Sequence, residues 1–188
     1  MTKSLAETAR DLVGVHRNEL ELHKSTEWCA EGTSYIIANS NISDNAKKVQ
    51  SISCNDMYRY MTDNPEWAEP DDMPKVNDIA FFDWNRQADG GKPLDHVGVI
   101  IEIIDGFTVK TVEGNTTGDD GINDGRYHIK TRTLHPNETQ YPDKYMRYTG
   151  TAQPQKIAPD VLSVTELEYI CNDIQQCVNA LKNYIDKH

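Results

Sequence analysis

An α+β domain with an antiparallel sheet is the fold this sequence predicts, and three observations predict it. Helical apolar spacing dominates residues 4–62, β-branched and aromatic runs dominate 79–148, and Gly/Asp/Asn-rich turns separate those runs. Leu5, Ala6, Ala9, Leu12, Val13, Val15 and Leu20 predict a helix over 4–23, with Ser4 as N-cap. A second helix is expected from about Trp28 to Asn39, where the polar run Asn39–Asp44 ends it. A third spans Cys54 to about Thr62 and stops before Asn64-Pro65. Residues 65–78, with three prolines and many acids, read as a connecting loop. The strands follow at Ile79–Trp84, His96–Ile104, Phe107–Glu113 and Arg126–Leu134, with a last short one at Tyr145–Tyr148. Asp105-Gly106 between two of them is a hairpin signal.

The domain is expected to end at residue 149, followed by a linker over 150–161. Ser163-Val-Thr-Glu166 then has the form of a capping box. Leu167, Ile170, Cys171, Ile174, Cys177, Val178, Leu181, Tyr184 and Ile185 give one apolar face to a helix over 162–188. That stripe must bury against its own domain, a second copy of the chain or another protein. A homo-oligomer formed through residues 162–188 is one of these expectations.

Composition narrows the function. Of 188 residues 37% are apolar, enough for a core, while 19 Lys+Arg against 30 Asp+Glu give a net charge of −11. So acidic a chain is repelled by phosphate backbones and anionic lipid, which argues against nucleic-acid and membrane-surface partners. No run approaches the ~20 apolar residues of a membrane span. Met1–Arg10 carries charges where a signal peptide needs an apolar run, so synthesis in the cytoplasm without an export signal is expected. Cys29, Cys54, Cys171 and Cys177 form no CxxC pair or metal-ligand spacing and read as thiols. Cys54 is read as a packed thiol rather than a partner of Cys29.

Three positions carry the candidate chemistry. Cys29 opens the second helix, where unsatisfied N–H groups favour a thiolate; a small buried residue is the plainer reading. His96 opens the most apolar strand and projects on the face of Gly98 and Ile100, and Gly98 leaves room for a second group beside the imidazole. Glu113 ends the next strand, followed by Gly114-Asn115. If the two strands pair as a hairpin, its carboxylate or the Asn115 amide could bind the imidazole N–H and fix its tautomer, as the third member of a triad does. A solvated strand-end acid and a turn asparagine would look the same in sequence.

Trp28-Cys-Ala30, Asp78-Ile-Ala-Phe-Phe-Asp-Trp84, Asp95-His-Val-Gly-Val-Ile-Ile-Glu102 and Val112-Glu-Gly-Asn-Thr116 resemble, in order and spacing, the CHAP domains. These are the cysteine, histidine-dependent amidohydrolases/peptidases of phage endolysins and bacterial wall hydrolases. The resemblance covers roughly residues 1–149 and implies a papain-like fold with helices packed on an antiparallel sheet. It implies Cys29 as nucleophile, His96 as general base, Glu113 as the group orienting it and Asn115 as a further polar residue of the site. Trp28, Trp84 and Tyr35 are the candidates to wall a substrate cleft, with a place in the core the alternative reading of each. The implied substrate is peptidoglycan, cut at the muramoyl–L-alanine amide or within the peptide stem or cross-bridge. The enzyme would reach it through a holin-like pore, lysis or a secretion machine. No cofactor is expected, calcium being the one alternative the resemblance leaves open. Some members bind calcium through an acidic loop before the cysteine, and residues 10–28 hold no such Asp-rich loop. Asn77 stands where members usually have Gly, and Asn tolerates the left-handed turn best. Glu31-Gly32-Thr33 is smaller and more polar than usual, and Glu31 is expected to oppose a thiolate at Cys29. Two rivals remain: a non-catalytic CHAP-like wall-binding or scaffold protein, and an amidase for a soluble amide.

Overall fold

Ser4 starts the first helix by a capping box: its hydroxyl accepts from the Glu7 N–H while the Glu7 carboxylate accepts from the Ser4 N–H. The computed structural model that shows this describes residues 3–22, 24, 26–84, 94–134 and 142–150, all within one unit, Met1–Ala152. The helix, α1, covers only Leu5–Asp11 and not the expected 4–23. Gly14 at φ 81° takes the chain out of helical space, and its N–H donates to the Tyr127 carbonyl at 2.9 Å. Val13 and His16 form isolated β-bridges to Tyr127 and Arg126, and helix resumes only as a 3-10 turn at Arg17–Leu20. Tertiary backbone pairing has won over helical periodicity.

The other two helices match their sequence signals. They are α2, Cys29–Asn39, and α3, Cys54–Thr62, which Ser53 caps by accepting from the Asp56 N–H. Six strands follow: β1 (Trp67–Ala68), β2 (Ile79–Phe82), β3 (His96–Asp105), β4 (Thr108–Glu113), β5 (His128–Thr133) and β6 (Pro142–Tyr148). They form one sheet in the order β1-β6-β2-β3-β4-β5, every pair antiparallel. The loop expected over 65–78 therefore contains the two-residue strand β1. At the β3–β4 turn Asp105 Oδ1 accepts from the Phe107 N–H at 2.7 Å, the Asx geometry that makes Asp-Gly a turn signal.

Alternation along β3 divides the sheet into two faces. Val97, Val99 and Ile101 join Trp28, Cys29, Ile36, Ile37 and Met57 in the main core, on the helical side. Ile100 joins Ala80, Phe82 and Val109 in a second cluster on the opposite face, with Trp84 packed against it. Asn77, at φ 81°, adopts the left-handed turn before β2, and its Oδ1 accepts from the Ala6 N–H at 2.8 Å, tying the turn to α1. The fold is thus α+β, three helices on an antiparallel sheet. The expected linker beyond residue 150 and the expected helix at 162–188 lie outside the described residues.

Candidate active site

The site is assembled where α2 begins, β3 begins and β4 ends. Cys29 is the first residue of α2, so its N–H has no acceptor within the helix and its sulfur lies in the helix's positive field. Trp28, just outside the helix, is 1% exposed. Its indole meets Tyr127 edge-on, with ring centroids 5.0 Å apart, and lies against the bare backbones of Gly32 and Gly114. This places Trp28 in the core rather than on a cleft wall: a ring buried on all sides offers a substrate no surface. Because Gly114 follows Glu113, the ring instead fixes the start of α2 to the end of β4. The small first turn of α2 has a use as well, since Gly32 leaves room for the Tyr127 hydroxyl, which donates to the Gly32 carbonyl at 3.0 Å.

His96 stands at the start of β3 on the Gly98 side of the sheet and is 5% exposed. Its Nε2 and the Glu113 Oε2 share a hydrogen bond of 2.8 Å. Gly98 makes this possible: a Cβ there would sit 2.6 Å from Glu113 Cγ and 3.1 Å from the Val112 carbonyl oxygen. Since Val99 pairs with Val112, Glu113 lies across from Gly98 and reaches diagonally over it to the ring. With Nε2 taken by Glu113, Nδ1 is the ring nitrogen left for the Cys29 sulfur, and each of the two groups favours the other's charged form. Cys29 Sγ approaches from the helical side, 3.9 Å from the carbonyl oxygen of Asp95, the residue before His96.

Glu113 is fully buried and none of its oxygens lacks a partner. Oε1 accepts from Thr111 Oγ1 at 2.5 Å and from Arg132 Nε at 2.8 Å; Oε2 accepts from Arg132 Nη2 at 2.5 Å besides His96. Arg132, on β5, is itself buried, with its guanidinium 5.1 Å from the ring centroids of both Phe82 and Trp84. A carboxylate fixed by a two-pronged guanidinium stays ionised in an apolar site and cannot turn away from the imidazole.

The electrostatics follow from this arrangement. Burial raises the Glu113 carboxyl, but the imidazole and the guanidinium outweigh it and hold the group well below the usual carboxylate range. Burial likewise opposes a charged His96, yet the Glu113 charge and the Cys29 sulfur raise it from 6.5 to about 9. Cys29 falls from 9.0 to about 5: a hydrogen bond from Cys54 is the largest cause, burial opposes it, and His96 and the Ala30 N–H add to the fall. Both shifts favour a thiolate–imidazolium pair. Glu31 is not among the main influences on the Cys29 thiol. It is buried two residues along α2, with Oε1 accepting from the Lys24 N–H at 3.2 Å.

The remaining expected residues divide. Trp84 is partly exposed and stacks on His96, with centroids 5.7 Å apart and planes 29° apart, so its ring borders the imidazole. Asn115 forms no hydrogen bond with His96. It occupies a left-handed turn at φ 53° after β4, and its Oδ1 accepts from Asn123 Nδ2 at 3.1 Å. Among the described residues no group of three or more His, Cys, Asp or Glu is placed to hold a metal ion, and no helix is long and apolar enough to cross a membrane.

Three site residues escaped the sequence reading. Arg132 is one: β5 pairs with β4 so that Arg132 lies opposite Val109, and from there its guanidinium reaches Glu113. Asn55 is another: its amide donates to the Leu94 carbonyl at 3.3 Å and accepts from the Leu94 N–H at 3.0 Å, bracing the approach to His96 against α3. Cys54 is the third, with Sγ 3.6 Å from Cys29 Sγ. Its signal was visible, since Cys54, like Cys29, is the first residue of a helix.

No curated protein and no solved structure matches the chain. The family model of the CHAP domain matches residues 22–115, half of the chain, and the match runs from the loop before Cys29 to the turn after Glu113. With the cysteine, the histidine and its carboxylate inside that segment, the chain belongs to the CHAP family.

Proposed function

We propose that this chain hydrolyses an amide bond of peptidoglycan, at the muramoyl–alanine junction or within the peptide stem or cross-bridge, with Cys29 as nucleophile. CHAP domains are generally cysteine, histidine-dependent amidohydrolases or peptidases acting on peptidoglycan, which supports the substrate class. The observation that carries the reading is the buried Glu113–His96 hydrogen bond beside a thiol whose pKa has fallen to about 5. A thiolate attacks the carbonyl carbon, and the Cys29 N–H at the head of α2 donates to the developing oxyanion. The His96 imidazolium gives its proton to the departing amine, then as a neutral ring takes one from the water that releases the acyl group. Glu113 stabilises the imidazolium throughout. Trp84 borders the ring and forms part of the substrate wall. The resemblance to endolysins supports action on a wall reached after release from the cell that makes the protein.

The test is digestion of purified sacculi from several Gram-positive species, with fragments assigned by mass spectrometry. Wild-type protein is expected to release new amino termini or muramoyl ends, and Cys29→Ala to release none. A folded wild type that releases nothing from any wall would overturn the substrate assignment.

A further inference from the structure

Two cysteines, each the first residue of a helix, meet at the site. Cys29 and Cys54 begin α2 and α3, their sulfurs are 3.6 Å apart, and both lie in the main core, 3% and 6% exposed. The contact is built from both sides. Ser53 caps α3 one residue before Cys54, and Asn55, one residue after it, makes two hydrogen bonds to the backbone of Leu94. Trp28 fixes the head of α2 in the same way against Gly114.

At van der Waals separation in a buried site, two thiolates would repel each other strongly, so only one sulfur can ionise. The groups facing the pair decide which. His96, from β3, faces Cys29 and favours its negative charge, while Asp95 and Glu27, from the adjoining loops, act on Cys54 and disfavour its ionisation. Cys29 therefore gives up its proton and Cys54 keeps its own. We propose that Cys54 is a positioning residue whose S–H donates a hydrogen bond to the Cys29 thiolate, fixing the sulfur between His96 and the head of α3. This rests on Cys29 being the nucleophile. It gives the sulfur a side-chain donor besides the imidazole. The direction of the two shifts agrees: Cys29 falls with Cys54 as the largest cause, and Cys54 is driven far above its ordinary range by Cys29.

The experiment follows alkylation of each cysteine by iodoacetamide, located by mass spectrometry, from pH 4 to 10 in reductant. In the wild type, Cys29 is expected to react with an acid limb near pH 5 and Cys54 to stay unmodified up to pH 8. Cys54→Ala should move the Cys29 limb upward by about one unit, roughly tenfold less alkylation below the limb, and Cys54→Ser, which keeps a donor, should restore most of it. A Cys29 limb unmoved in Cys54→Ala, or Ser and Ala variants that behave alike, would overturn the proposal. So would Cys54 reacting alongside Cys29 below pH 8 in the wild type, a result independent of whether either variant folds. A wild-type limb near 9 would overturn the nucleophile assignment itself. Alkylation needs no wall, so failure on sacculi leaves this measurement interpretable.

Discussion

A single absent methyl group decides the geometry of the histidine. Alanine at Gly98 would put its Cβ 2.6 Å from Glu113 Cγ, and a carboxylate pinned by Arg132 has no second position to take. Gly98→Ala is expected to fold at a cost of about 1–3 kcal/mol. It should lower kcat on sacculi at least tenfold, about 1.4 kcal/mol of barrier. Steady-state release by the purified variant checks this, and unchanged kcat would mean Glu113 is not needed in its place. Arg132→Met removes the fork while keeping an apolar side chain under Phe82 and Trp84. It leaves Glu113 buried with only Thr111 and His96, and unfolding in urea should show a loss of about 3–5 kcal/mol. A loss under 1 kcal/mol would show that the carboxylate holds its place without the guanidinium. Residues 29, 96 and 113, and the gap at 98, were legible in the sequence because each depends on local position: a helix start, a strand start, a strand end and alternation. Arg132 was not, since only pairing across a long connection puts it beside Glu113.

At the scale of elements, α2 and β4 are joined by one ring. Trp28 lies against Gly114, and a Cβ on Gly114 would overlap the indole. Gly114→Ala is therefore expected to separate the helix carrying Cys29 from the strand carrying Glu113. The measurement is Cys29 alkylation at pH 6, which should slow several-fold while far-UV circular dichroism stays native. Equal rates would show that the head of α2 is held by other contacts. The strands of this layer were readable from β-branched runs and turn signals, and α2 and α3 from their starts and stops. The helix predicted over 4–23 failed for a reason no periodicity count can see. Gly14 turns left-handed and the backbone bonds Tyr127, a partner more than a hundred residues away.

For the molecule as a whole, the ion pair sets a pH window. Cys29 falls from 9.0 to about 5 on folding, so its contribution to stability is complete above pH 9 and is lost as pH falls through about 5. His96 rises from 6.5 to about 9, so its contribution is complete below 6.5 and is lost as pH rises through about 9. Activity needs both charges and should therefore form a bell with limbs near pH 5 and pH 9, read as kcat/KM on soluble wall fragments. A lower limb near 8 would mean that the thiol is an ordinary one. Charge also shapes the approach to substrate. Residues 1–150 carry 16 basic and 25 acidic groups, a net −9, so long-range attraction to anionic wall polymers is not available to this domain.

The order of the sheet sets where the chain can be cut. The family match ends at residue 115, yet β5 brings Arg132 to Glu113, and β6 lies between β1 and β2. A chimera that grafts only the matched segment onto another carrier would leave β2 with a raw edge and the carboxylate without its guanidinium. The smallest transplantable unit therefore closes after Tyr148, where the last inserted strand completes the sheet.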